Sequence, residues 1–141
     1  QLAAIKQCKP GNHWNDPHNA AVRVLTKGLM DLGLLKGRLA TLIKNEAYKP
    51  FYMHRTGHWL GLDVHDVGDY RFDEEWRVLE PGMVLTVEPG LYIAAHSKGV
   101  AKKWWNTGIR IEDDVLITRD GNEVLTEAVP RDPDEIEALM A

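Results

Sequence analysis

Three short stretches of this sequence bring imidazole and carboxylate groups close together: His54-x3-His58-x6-His65, Glu88-Pro89-Gly90, and Arg110-Ile111-Glu112-Asp113-Asp114. Imidazole nitrogen and carboxylate oxygen together suit manganese, iron, cobalt and zinc. A chain with the single cysteine Cys8 is too poor in thiolate for a structural zinc finger. The chemistry open to such a donor set is metal-assisted hydrolysis.

Thr56-Gly57 and Gly61 make a regular helix unfavourable through the three histidines, and no glutamate follows the first of them, so this is not a zincin helix. The segment reads as loop and extended chain. In an extended run His54 and His58 share a face, and His65 points the other way unless Gly61 breaks the pleat. A lone histidine is ordinarily a hydrogen-bonded or surface residue. Three within twelve positions, beside aspartates, favour a site.

Glu88 ends the apolar run 83–87 immediately before Pro89, which holds it extended and removes the next backbone donor. A carboxylate is thereby set at a strand end beside a tight Pro-Gly turn. Glu80-Pro81-Gly82 repeats the tripeptide, where its role is to turn the chain into that strand. In residues 108–114, Ile109 and Ile111 are expected to face the core, with Arg110 and Glu112 on the opposite side. That face is either an exposed salt bridge or a carboxylate-lined cleft, and the motif alone favours the salt bridge.

The elements that must hold these groups are legible in outline. Asp16-Pro17 reads as an N-cap followed by proline at the first helical position, and Ala21, Val24, Leu25, Leu29 and Leu32 continue as an amphipathic helix. Past the Gly33 to Gly37 break, Leu39, Leu42, Ile43 and Ala47 repeat the stripe until Lys49-Pro50, and both helices are expected to cover a sheet. Strands are expected at 83–87, 91–95, 109–111 and 115–118, and Asp120-Gly121 predicts a hairpin spanning about 115–126. Asp132-Pro133 starts a last helix running through Leu139. Helices first and antiparallel strands after make an α+β class.

A chain of 141 residues is one domain's worth, and its 44% apolar and 27% charged residues belong to a folded, water-exposed chain. A formal charge of −4 gives no footprint for nucleic acid, and no apolar run reaches membrane-spanning length. With one cysteine no intrachain disulfide forms, and a reducing cytoplasm is the expected home. The chain opens on Gln1 inside a partly apolar helical pattern, which reads as a piece of something longer.

Taken together, HRTGHWLGLDVHDVG at 54–68, LEPGMVLTVEPGLYIA at 79–94 and GIRIEDDVLIT at 108–118 resemble the aminopeptidase P branch of the pita-bread metallopeptidases, and are similar also to prolidase. The likeness runs from the first helix to the terminal DEIEALM. It implies that residues 1–141 are the C-terminal portion of a pita-bread catalytic domain, whose two halves of helices and antiparallel strands enclose two divalent ions, Mn2+ in this branch. By motif, His58, Glu88 and Glu112 stand where the metal ligands stand, Glu112 as the bridging carboxylate. His65 would hydrogen-bond the scissile carbonyl, His54 would hold the proline side, Arg110 would line the cleft, and Glu88 would also carry a proton. The implied substrate is a peptide with proline in second position; prolidase activity on dipeptides and a non-catalytic binding module are the alternatives.

Two departures qualify the likeness. Arg55 stands where these enzymes commonly have glycine, so a bulky cation is expected beside the proline-side pocket. Two aspartate ligands and a further histidine are expected from sequence ahead of Gln1, since neither Asp16 nor Asp31 has the right context. The 141 residues alone are then expected to bind metal weakly, to hydrolyse little, and to associate through strand edges that the missing N-terminal half would cover. A homo-oligomer of the longer protein is compatible with the resemblance.

Overall fold

The computed structural model describes all of residues 1–141. After a single turn, α1 (Leu2–Ile5), the first long element is α2 (Asn15–Asp31). It begins two residues earlier than the sequence suggests, with Trp14 rather than Asp16 at the N-cap. Asp16 lies inside the first turn, where its carboxylate reaches back to accept from the His13 N–H at 2.7 Å. Pro17 also falls in that turn, where its missing N–H leaves no helical bond unmade. The helix stops at Gly33, whose φ of 74° permits the closing pair Leu34 N–H to Leu29 C=O and Gly33 N–H to Met30 C=O.

The buried face of α2 differs from the expected stripe. Ala21, Val22 and Leu29 are buried together with Pro17, His18 and Thr26, whereas Val24 and Leu32 are exposed. Polar residues can occupy the inward face because each is satisfied internally: Thr26 Oγ1 donates to the Val22 carbonyl at 2.6 Å, and His18 Nδ1 lies 2.9 Å from Thr56 Oγ1. The following helix, α3 (Leu39–Lys44), ends before Ala47 because Glu46 turns left-handed with φ 52°. It has no buried residue and lies at the margin of the core, contrary to the expectation that it covers a sheet.

After the small ribbon β1 (Arg71–Phe72) and β2 (Glu75–Trp76) come β3 (Val84–Val87), β4 (Gly90–Ile93), β5 (Thr107–Arg110), β6 (Asp113–Ile117) and β7 (Asn122–Val124). A single 3-10 turn, Lys102–Trp104, lies between β4 and β5. β3 pairs antiparallel with β6 from Val84↔Leu116 to Val87↔Asp113, and β4 pairs with β5 from Gly90↔Arg110 to Ile93↔Thr107. The two ladders are in one register, so together they form a single long ribbon interrupted at 88–89 on one strand and 111–112 on the other. Pro89, with no N–H to give, accounts for the break. The chain therefore runs on past Glu88 in the same direction and makes no tight Pro-Gly turn there.

The free edge of β3 is taken by residues 56–60. Glu88 N–H donates to Thr56 C=O at 2.6 Å, Thr86 N–H to His58 C=O at 3.0 Å, and Leu60 N–H to Val84 C=O at 3.1 Å. Trp59 bridges to Leu85 within this antiparallel edge. On the other side, β6 and β7 form the expected hairpin, closed by Thr118 N–H to Gly121 C=O at 3.0 Å.

Strand alternation then sorts the side chains. Trp59, Leu85, Val87, Val115 and Ile117 join Ala21, Val22 and Leu29 in one buried cluster. Ile109 and Ile111 do not join it and are 56% and 37% exposed, against expectation. The last helix, α4 (Pro133–Met140), is capped as the sequence suggests, Asp132 accepting from the Asp134 N–H at 2.9 Å. No helix is long and apolar enough to cross a membrane.

Two predictions follow from the packing. A Cβ on Gly57 would collide with the Thr86 carbonyl oxygen, so Gly57→Ala must push the edge segment off β3. A destabilisation of about 1–3 kcal/mol is expected by denaturant titration, and unchanged stability would contradict the tight approach. Burial, aided by the nearby Arg55, His54 and Lys49, lowers the His18 pKa from its ordinary 6.5 to about 4. Between these values the unfolded chain takes up a proton that the native state refuses, so stability falls as pH drops from 6.5 toward 4. Melting temperatures across that window should fall less steeply in His18→Gln, and identical slopes would count against this role.

Candidate metal centre

The shared register of the two ladders leaves Glu88 directly opposite Glu112 at the break between them. Both side chains lie on the face away from the buried cluster. His58 belongs to the same face, one strand over, because residues 56–60 continue the pleat at the edge of β3. One ligand atom from each of His58, Glu88 and Glu112 lies within 4.8 Å of the other two. Three neighbouring stretches of chain thus bring one candidate donor each to a common place.

Hydrogen bonding prepares two of these donors. His58 Nδ1 lies 2.9 Å from the Trp59 carbonyl oxygen, which can only accept, so Nδ1 carries the proton and Nε2 keeps its lone pair. That Nε2 stands 3.5 Å from Glu88 Oε1. Thr86 Oγ1 accepts from the His58 N–H at 3.0 Å and donates to Glu88 Oε1 at 3.3 Å, tying ligand to ligand. Arg110 sits opposite Gly90, which has no side chain to obstruct it, and its Nε comes to 3.8 Å from Glu88 Oε2. Its carboxylate partner is therefore Glu88 rather than the sequence neighbour Glu112, and the cleft reading replaces the exposed salt bridge.

Two carboxylates directly opposite each other repel, and the half-exposed guanidinium of Arg110 offsets only part of their charge. A divalent cation would satisfy both carboxylates and the free imidazole lone pair at once, and one nitrogen with two carboxylate donors suits borderline divalent ions. The residues present fit a metal on this chemistry.

His65 returns to the same place. The edge pleat ends after Leu60, the Asp66 N–H donates to the Trp59 carbonyl at 3.1 Å, and the His65 ring meets that of His58 edge-on at 4.4 Å between centroids. It is exposed, with its ring nitrogens free for a bound molecule. His54 is held differently. Its Nδ1 donates to the Arg55 carbonyl at 2.7 Å, and its Nε2 accepts from the Tyr92 hydroxyl at 3.0 Å. Tyr92 escaped the sequence reading, although alternation puts it on the face of Glu88 and Gly90. Thr86 was missed too, and the same parity would have found it.

Asp113, next to Glu112, points to the other face and is 2% exposed. Its carboxylate accepts from Thr126 Oγ1 at 2.6 Å, Gln1 Nε2 at 2.6 Å and Arg131 Nη1 at 3.2 Å, a structural role. Arg55 lies 4.7 Å from the Trp76 ring centre and hydrogen-bonds Asn15, so neighbours outside the acidic cluster engage its side chain.

The model of Metallopeptidase family M24 matches residues 1–119. The chain is 51% identical over 140 residues to the Xaa-Pro aminopeptidase of Haemophilus influenzae, covering 99% of this chain and 32% of that protein. It is 52% identical over 137 residues to the Xaa-Pro aminopeptidase of Escherichia coli, covering 97% and 31%. The solved structure of the aminopeptidase PepP from Pseudomonas aeruginosa superposes with a TM-score of 0.96 at 63% identity, covering 99% of this chain and 31% of that one. This chain therefore spans about a third of the length of the relatives it matches. With helices and antiparallel strands arranged as in the pita-bread fold of those structures, the chain belongs to metallopeptidase family M24, a family that implies divalent metals.

Proposed function

We propose that this chain is the metal-holding portion of a dinuclear Xaa-Pro aminopeptidase, which removes an N-terminal residue preceding proline, with Mn2+ as the resident ion. The observation that carries the proposal is the Glu88–Glu112 pair facing itself across the ribbon with the His58 Nε2 lone pair turned toward it. The high identity to proteins named Xaa-Pro aminopeptidase supports this substrate class over prolidase.

In this reading His58, Glu88 and Glu112 would hold divalent ions together with two aspartates supplied from outside these residues. When bound, such ions would supply Lewis acidity for attack of water on a peptide carbonyl. Glu88 accepts the proton of that water and delivers it to the proline nitrogen as the C–N bond breaks. His65 donates a hydrogen bond to the carbonyl oxygen as negative charge builds there. His54, fixed by Tyr92, borders the proline side, and Arg110 lines the cleft beside Glu88.

The test uses a protein of the relatives' length carrying this chain, assayed on Xaa-Pro-Yaa tripeptides and Xaa-Pro dipeptides. Chelation is expected to abolish tripeptide cleavage and Mn2+ to restore it. His65→Ala is expected to lower kcat by roughly 100- to 1000-fold at unchanged metal content, as loss of an oxyanion donor does. Unaltered kcat in that variant would remove the role of His65. Cleavage of the dipeptide alone would replace the aminopeptidase reading with prolidase.

A further inference from the structure

Behind the acidic pair lies a polar network that ligation does not use. Thr56 is 4% exposed, and its Oγ1 is 2.9 Å from His18 Nδ1 and 2.5 Å from the Tyr52 hydroxyl. Its main-chain carbonyl receives the Glu88 N–H at 2.6 Å. The Tyr52 ring in turn packs edge-on against His54, 5.1 Å between centroids. One buried residue thus joins α2, the turn after α3, the edge segment 56–60 and the end of β3.

Each polar atom here has lost water, so a broken bond would leave a buried group unsatisfied, whereas an apolar trio of the same shape would be nearly neutral for stability. Stability alone does not call for a hydroxyl at position 56. What the hydroxyl supplies is direction. The arrangement that uses every proton runs from Tyr52 O–H to Thr56 Oγ1 and from Thr56 O–H to His18 Nδ1, which fixes the Thr56 rotamer between two rigid rings. Held through its side chain by two rigid rings, Thr56 is anchored in place where its carbonyl receives the Glu88 N–H, and His58 follows two residues along the same pleat.

We propose that Tyr52, Thr56 and His18 are positioning residues of the metal centre, acting on Glu88 through the Thr56 carbonyl and on His58 through the edge segment. The inference rests on reading His58, Glu88 and Glu112 as metal ligands.

The experiment is Mn2+ titration calorimetry on the metal-free protein of the relatives' length, with the melting temperature of each variant recorded alongside. Thr56→Val, which keeps the shape and removes the hydroxyl, is expected to weaken Mn2+ binding by about 10- to 100-fold, the range for residues that orient metal ligands. Thr56→Ser is expected to bind like the parent. A purely structural role would lower the melting temperature and leave the Mn2+ affinity of the folded protein intact, and that result overturns the proposal. Should Thr56→Val not fold, Tyr52→Phe, which keeps the ring, decides on the same criterion. Glu112→Gln separates the two layers of argument. If it binds Mn2+ like the parent, the ligand assignment fails; if it loses the metal while Thr56→Val and Tyr52→Phe keep it, only the positioning network falls.

Discussion

Two carboxylates held face to face across an antiparallel ribbon are the constraint to which the rest of this structure answers. Glu88 and Glu112 oppose each other because the β3–β6 and β4–β5 ladders share one register across the interruption at Pro89. Like charges in that relation destabilise a sheet, and a fold keeps them only where something positive joins them. Arg110 reaches one carboxylate, and the remaining demand is for a cation that can also take an imidazole lone pair.

The scaffold resists this local repulsion from behind. Leu85, Val87, Val115 and Ile117 present their face of the ribbon to Trp59 and to Ala21, Val22 and Leu29 of α2. Each large apolar side chain so buried contributes on the order of 1.5–3 kcal/mol, which outweighs a partly screened carboxylate pair at a half-buried site. The same alternation that sends these residues inward sends His58, Thr86, Glu88 and Glu112 to the other face. Burial and site are therefore two sides of one pleat, and a one-residue slip in register would exchange them.

Sequence legibility followed the range of the interactions involved. The β6–β7 hairpin and the capped start of α4 are set by neighbouring residues, and both could be read directly. The three metal-ligand candidates were legible from residue type and motif, but their convergence depends on a register that spans the ladders and on an edge segment with little strand character in its composition. Helix α2 was misjudged by a rotation of its buried face, since His18 and Thr26 look outward-facing until their partners Thr56 and Val22 are known. Ile109 and Ile111 look like core residues by alternation, yet alternation fixes only which face a side chain takes, and both remain outside the buried cluster. Tyr92 and Thr86 act through contacts made only after folding, so neither stood out as chemistry in the chain.

The most direct examination of the acidic pair is anomalous X-ray diffraction at the manganese edge, from crystals of a protein of the relatives' length that carries this chain, grown with Mn2+. A peak at roughly 2.0–2.3 Å from His58 Nε2 and from carboxylate oxygens of both Glu88 and Glu112 is the predicted result, with ligand distances typical of such donors. Anomalous signal elsewhere in the molecule, with no peak among those three side chains, would contradict the account.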